Sequence, residues 1–185
     1  MTTLEIHTDG GCRNNQLDEN IGGWGAVLKF GEHEKLLKGG TVNTTNNRME
    51  LTALLKAMSA LKKDKQDIEI YSDSSYLMEC FRKKWYVNWE KNGWKTASKK
   101  QVENQDLWKP LIDLIKRHNV TFYRVKGHTN LNHPNTNTDK LFEKYQEWNG
   151  TDKSYEHFEN AVIQNNLADM LANEAMDSIE INQIM

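Results

Sequence analysis

Cysteine is scarce: two in 185 residues, Cys12 and Cys80, with no Cys-x-x-Cys pair. That excludes a disulfide scaffold and a cysteine zinc site, and it fits a reducing compartment. Long apolar runs are missing too. No stretch reads as a membrane span or a signal segment, so the expected location is the cytoplasm. Neither sign of charge dominates, and a net charge of −2 names no partner by itself. Internal repeats, low-complexity tracts and linker-like composition are also lacking. What remains is an ordinary globular composition, 37% apolar and 27% charged, on a chain long enough for one domain with a proper core.

The charge is unevenly spread. Residues 82–117 carry ten basic and four acidic side chains, whereas 129–164 carry three basic and six acidic. A basic stretch on a near-neutral chain is compatible with a phosphate-binding face.

Leu4, Ile6 and Thr8 alternate with Glu5, His7 and Asp9, which predicts a strand running into a Gly10-Gly11 turn. A polar loop over 13–20, a strand over 22–30 and a strand over 34–39 extend it into an antiparallel meander. Leu51, Leu54, Leu55 and Met58 recur at helical spacing, with Asn47 and Glu50 placed as the ends of a capping box. Ile68 to Asp73 is a fourth strand, and the right-handed crossover lays it parallel to the first. Asp73 is placed to cap a helix over 74–84. A tryptophan-rich basic segment over 85–100, a helix over 104–118 and a strand over 120–125 follow. Helices are expected over 139–148 and 165–177, the last buried through Leu167, Ala168, Leu171, Ala172 and Ala175. This order is that of one α/β domain.

Four acids then fall at the ends of core elements. Asp9 and Asp73 finish parallel neighbours, Glu50 opens the helix that crosses between them, and Asp169 lies on the polar line of the last helix. Ligands of open α/β sheets gather outside the carboxyl ends of strands. Carboxylates crowded there need cations, and hard oxygen donors suit Mg²⁺ or Mn²⁺. Two such ions would support in-line displacement at a phosphodiester. His128, between Gly127 and Thr129 after the fifth strand, is the candidate acid/base.

Five stretches together resemble type 1 ribonuclease H: Thr8-Asp9-Gly10-Gly11-Cys12, Thr44 to Leu51, Tyr71-Ser72-Asp73-Ser74, Val125-Lys126-Gly127-His128, and Ala168 to Asn173. The segment from Trp85 to Trp108 is similar to the basic handle of the bacterial members. The resemblance implies a five-stranded mixed sheet in order 3-2-1-4-5 flanked by helices. It also implies an endonuclease that cuts the RNA strand of RNA/DNA hybrids, leaving 5′-phosphate and 3′-hydroxyl ends. Asp9, Glu50, Asp73 and Asp169 would bind two Mg²⁺ or Mn²⁺ ions, with His128 assisting. Gly10, Cys12, Asn15, Asn46 and Asn47 would line the minor groove and Thr45 a DNA phosphate. Ser75, Trp85 and Asn165 complete the expected nucleic-acid contacts; Ser75 stands where many relatives carry Gln.

The expected organisation is a single domain over 1–185, monomeric and without a protein partner, with a handle at 82–103 and an inserted segment at 129–164. That segment separates His128 from Asp169, which the family joins by a short loop. Asp139 offers a rival register, because Asn135 precedes it at the spacing by which Asn165 precedes Asp169; the small alanines around Asp169 favour the latter. The segment is expected to pack on the flank and restrain the His128 loop. Two other functions fit parts of the pattern. An exonuclease or transposase-type nuclease would want an Asp-x-Glu on strand one or flanking DNA-binding domains; a non-catalytic hybrid-binding module would leave the carboxylates free to change.

Overall fold

The computed structural model describes residues 2–14 and 19–185. Its elements are β1 (Leu4–Asn14), β2 (Asn20–Phe30), β3 (His33–Val42), α1 (Asn46–Ser59), β4 (Asp67–Ser72), α2 (Ser75–Arg82), α3 (Trp85–Asn92), α4 (Gln105–Ile115), β5 (Asn119–Arg124), α5 (Thr138–Asn149) and α6 (Tyr155–Ile184). The strands form one mixed sheet in the order β3-β2-β1-β4-β5, as expected. β1 runs antiparallel to β2 and parallel to β4, and β4 runs parallel to β5.

β1 does not end at Gly10-Gly11. It stays paired with β2 as far as Asn14, while its pairing with β4 stops at Thr8. Asp9 is therefore mid-strand, at the point where β1 loses one neighbour. Gly10 is required there by space: a Cβ would lie 2.5 Å from the backbone carbon of Met49, so only glycine lets α1 enter this close to the strand.

One face of the sheet carries Leu4, Ile6, Ala26, Leu28, Ile68 and Ile70 against α1, α2 and α4, with Trp108 fully buried among them. Trp85, Trp89 and Trp94 of the handle pack against the same core. α6 covers the opposite face, where Ala168 and Ala172 lie on Gly25 and Gly23. A Cβ at either glycine would collide with the helix backbone, so small residues on both sides set a close helix–sheet approach.

The caps differ from those the spacing predicts. Thr45, not Asn47, caps α1 by accepting a hydrogen bond from Arg48 N at 3.1 Å. Ser74, not Asp73, caps α2 by accepting from Leu77 N at 3.2 Å. Both acids are thereby released from capping. α6 also begins ten residues earlier than the alanine stripe suggests, so the inserted segment flows into it without a break.

Candidate active site

The ligand oxygens of Asp9, Glu50 and Asp73 all lie within 4.8 Å of one another, a set able to hold a metal ion. Three routes bring them there. Asp9 stands where β4 ends beside β1, Asp73 follows the last residue of β4, and Glu50 projects from the second turn of α1. Asp169, from the middle of α6, stands beside Asp9 and lines the same cleft of about 500 Å³. His128 Nδ1 is 3.9 Å from Asp169 Oδ2; its side chain is 78% exposed, and its backbone is left-handed at φ 55°. A side chain at Gly127 would strike the Asp73 carboxylate, so the loop can pass only as glycine.

The electrostatics follow from crowding. Burial, then the charge of Asp73, pushes the Asp9 carboxyl up to about 9. Burial raises Glu50 well above the ordinary carboxylate range, with Asp73 and Asp9 adding to it, while the backbone N–H of Gly10 works the other way. Asp73 is raised as well, chiefly by burial. Glu50 Oε2 is buried with no hydrogen-bond partner among the described residues. An orphaned carboxylate oxygen facing two more carboxylates suits a divalent cation, and the all-oxygen donor set fits a hard one.

The groove residues expected from the sequence divide. Gly10, Cys12, Asn46, Asn47 and Ser75 line the cleft. Asn46 Oδ1 accepts from Cys12 N at 2.8 Å and ties α1 to the β1 extension. Thr45 is an exposed cap just outside it. Trp85 lies half-buried against the core, with Lys83 Nζ 5.9 Å from its ring. Asn165 is a correction: at 1% exposure, one turn before Asp169, it belongs to the interior rather than to the cleft. Asn15 lies outside the described residues.

Sequence reasoning missed Tyr76, Asn173 and Met176, which also line the cleft. Tyr76 is three residues beyond Asp73 on the opening turn of α2, a spacing that could have exposed it. Its hydroxyl accepts from the buried Trp108 Nε1 at 2.8 Å, linking cleft to core. Asn173 accepts from Arg13 Nη2 at 2.9 Å, and Arg13 Nη1 reaches Asp177 at 2.7 Å, so α6 grips the far end of β1. Asp139 is not among the cleft's residues and is exposed in the first turn of α5.

The inserted segment packs onto the sheet. Tyr145 and Phe158 join Tyr71, Tyr123 and Val125 in a second buried cluster. Asn149 Oδ1 accepts from Arg124 N and its Nδ2 donates to Arg124 O, both at 2.8 Å, so one side chain completes the edge of β5. Asn166 Nδ2 donates to Thr129 O at 2.8 Å beside His128.

Comparison with known proteins agrees with this picture. The RNase H family matches residues 1–147. A ribonuclease H of Clostridium botulinum (strain Hall) is 48% identical over 141 residues, covering 76% of this chain and 93% of its own. One from Prosthecochloris aestuarii is 51% identical over 136 residues, covering 74% and 90%. The fold is shared with LC9-RNase H1, described as a type 1 RNase H with the type 2 active-site motif, at TM-score 0.68, 23% identity and coverage of 96% and 74%. It is shared also with the PFV RNase H domain, at TM-score 0.63, 20% identity and 96% of each chain. The family match ends before α6, so Asp169 rests on the geometry above.

Proposed function

The chain belongs to the ribonuclease H family, and from that premise we propose that it cuts the RNA strand of RNA/DNA hybrids endonucleolytically at the Asp9–Glu50–Asp73–Asp169 cleft, leaving 5′-phosphate and 3′-hydroxyl ends. The observation that carries the reading is the packing of three carboxylates within 4.8 Å with Glu50 Oε2 unsatisfied. The four acids would hold divalent cations, Mg²⁺ first and Mn²⁺ as a substitute. Once bound, these supply the positive charge that lets a water ionise and the 3′-oxygen depart.

The chain's own residues do the rest. Asp9, mid-strand in β1, and Asp73, just past the end of β4, fix the cleft floor from the sheet. Glu50 reaches in from a capped helix and can take a hydrogen bond from a ribose 2′-hydroxyl, the group that marks the RNA strand. Gly10, Gly11 and Cys12 offer a low, largely backbone surface to the minor groove, with Asn46 and Asn47 as donors beside it. Thr45 would meet a phosphate of the DNA strand, and Trp85 a sugar face at the handle. Contacts of this kind carry little sequence information, so cleavage should be nearly sequence-independent. His128, exposed on its loop, can swing between solvent and the scissile phosphate to move a proton.

We read residues 1–185 as one monomeric domain acting in the cytoplasm, with 82–103 as the handle and 129–164 as the insertion. No helix of the described residues is long and apolar enough to cross a membrane. The test is a labelled RNA/DNA hybrid beside RNA/RNA and DNA/DNA duplexes, each with Mg²⁺ and with EDTA. Cleavage of the RNA strand of the hybrid alone, stopped by EDTA, is the expected result. Cleavage of DNA/DNA, or none of the hybrid, would overturn the reading.

A further inference from the structure

A second cleft, of about 910 Å³, opens between α5 and the end of β5, and it shares His128 with the acidic one. Its lining carries Arg124, Lys126, Lys140 and Lys144 against two carboxylates, Glu143 and Glu147. Among the described residues only Lys144 of these four is ion-paired, with Glu147 Oε2 at 3.1 Å. This basic excess does not follow from composition, because the inserted segment as a whole is acidic. The α5 charges in the lining balance, two lysines against two glutamates, and the excess comes from Arg124 and Lys126 at the end of β5.

Arg124 is the telling residue. Its Cζ lies 4.2 Å from the centroid of Trp148, a stacking that fixes the guanidinium plane. No carboxylate or carbonyl takes its donors among the described residues, and its Nε is buried without a partner. Arg82 lies close enough to be repelled by it, yet Arg82 donates to the carbonyls of Trp148 and Phe122 and to Asn149 Oδ1, not to an acid. A guanidinium held without a counter-charge beside Lys126 and Lys140 calls for an anion from outside. Lys144 Nζ also lies 5.6 Å from the Trp148 centroid, so two cations already engage this ring. The chemistry fits a sugar–phosphate backbone.

We propose that this cleft binds backbone phosphates of the RNA/DNA hybrid on the α5 side of His128, lengthening the substrate footprint past the acidic centre. The proposal rests on the hybrid-cleaving reading above. It gives the insertion a role: α5 and Trp148 build a phosphate subsite contiguous with the reacting strand.

The test compares salt dependence of binding in an Asp9→Asn background, using the full chain. Each phosphate contact contributes about 0.9 to the slope of log affinity against log salt. On a hybrid of about 20 base pairs, Lys140→Gln with Lys144→Gln should flatten the slope by about 2, and Lys140→Arg with Lys144→Arg should restore it. On a hybrid of about 6 base pairs, too short to occupy both clefts, the slopes should coincide. Lys62→Gln with Lys63→Gln, a matched charge loss on the loop after α1, should change neither. An unchanged slope on the long hybrid, or an equal loss in the Lys62/Lys63 control, overturns the subsite while hybrid cleavage by the wild type stands. If the wild type neither binds nor cuts hybrids, the functional reading falls and the subsite with it.

Discussion

On one face of the sheet Ile6, Ile68 and Ile70 meet Leu51, Leu54 and Trp108, hydrocarbon against hydrocarbon. On the other, beneath the insertion, the contact runs through polar rings. Tyr145 O–H reaches His157 Nδ1 at 2.8 Å, His157 Nε2 lies 3.1 Å from the Tyr71 hydroxyl, and that hydroxyl donates to Glu69 Oε2 at 2.6 Å. Tyr71 also stacks on buried His7, with ring centroids 4.4 Å apart. The first face needs only volume and hydrophobicity, which many side chains supply. The second needs each partner in one protonation state and one orientation, because a buried polar group left unmade costs about 1–3 kcal/mol. The two faces teach that the first is closed by non-directional packing, while the inserted segment is held by directional bonds that give it a single seat.

The sharpest way to probe this contrast lies where the faces meet, at the acidic cleft. Asp169→Asn, on the helix of the second face, should lower hybrid cleavage by about a hundredfold or more in a single-turnover assay, whereas Asp139→Asn on α5 should stay within about twofold. The reverse order would move the fourth acid to α5. Stability comes next. Trp108→Ala on the first face should cost about 3–5 kcal/mol in urea unfolding. Tyr145→Phe on the second should cost about 1 kcal/mol, the value of a hydrogen bond rather than of a ring. Equal losses would erase the distinction between the faces.

Metal addition should be of intermediate size and join the faces. Because the folded carboxyls titrate above their ordinary range, the stability they contribute is present at pH below about 4 and is lost as pH rises, through about 9 for Asp9. Mg²⁺ at about a hundred times its Kd at pH 8 should restore about 2.7 kcal/mol there, and the same concentration should restore less at pH 5. Hydrogen exchange should slow at both the start of α1 and the middle of α6, and EDTA should reverse it. The smallest effect is a pH response confined to the second face. Burial holds His157 below its ordinary value, so its contribution is present above about pH 6.5 and fades as pH falls beneath it. Protection factors in α5 and β5 should drop between pH 7 and pH 5 while those of α1 and β1 hold, and His157→Gln should flatten the response.

The same contrast explains what could be read in advance. The meander, the crossover and the meeting of Asp9, Glu50 and Asp73 followed from strand alternation and from apolar spacing in α1, both expressions of non-directional burial, whereas the full sheet order came with the family resemblance. The true end of β1 did not, because Gly10-Gly11 reads as a turn when the approach of α1 is unseen. Nor did the caps, since Thr45 and Asn47, or Ser74 and Asp73, are chemically equivalent candidates one or two residues apart. The beginning of α6 was hidden because Phe158, Ala161 and Val162 dock against tyrosines that lie far away in sequence. Asn149, which completes the edge of β5 with its side chain, left no periodic trace at all.

The unbroken run of α6 from Tyr155 to Ile184 makes the insertion and the acidic cleft two teeth of one gear. Phe158 seats the helix under the insertion, and Asp169 enters the cleft about three turns later. Each residue advances a helix by about 100°, so one residue added or lost between them would carry Asp169 a quarter-turn or more out of mesh, whereas a change of about seven or eleven would nearly restore it. The lengths this segment can adopt are therefore quantised by helical phase: the chain before Tyr155 is free to lengthen one residue at a time, and the chain after Phe158 only by whole turns.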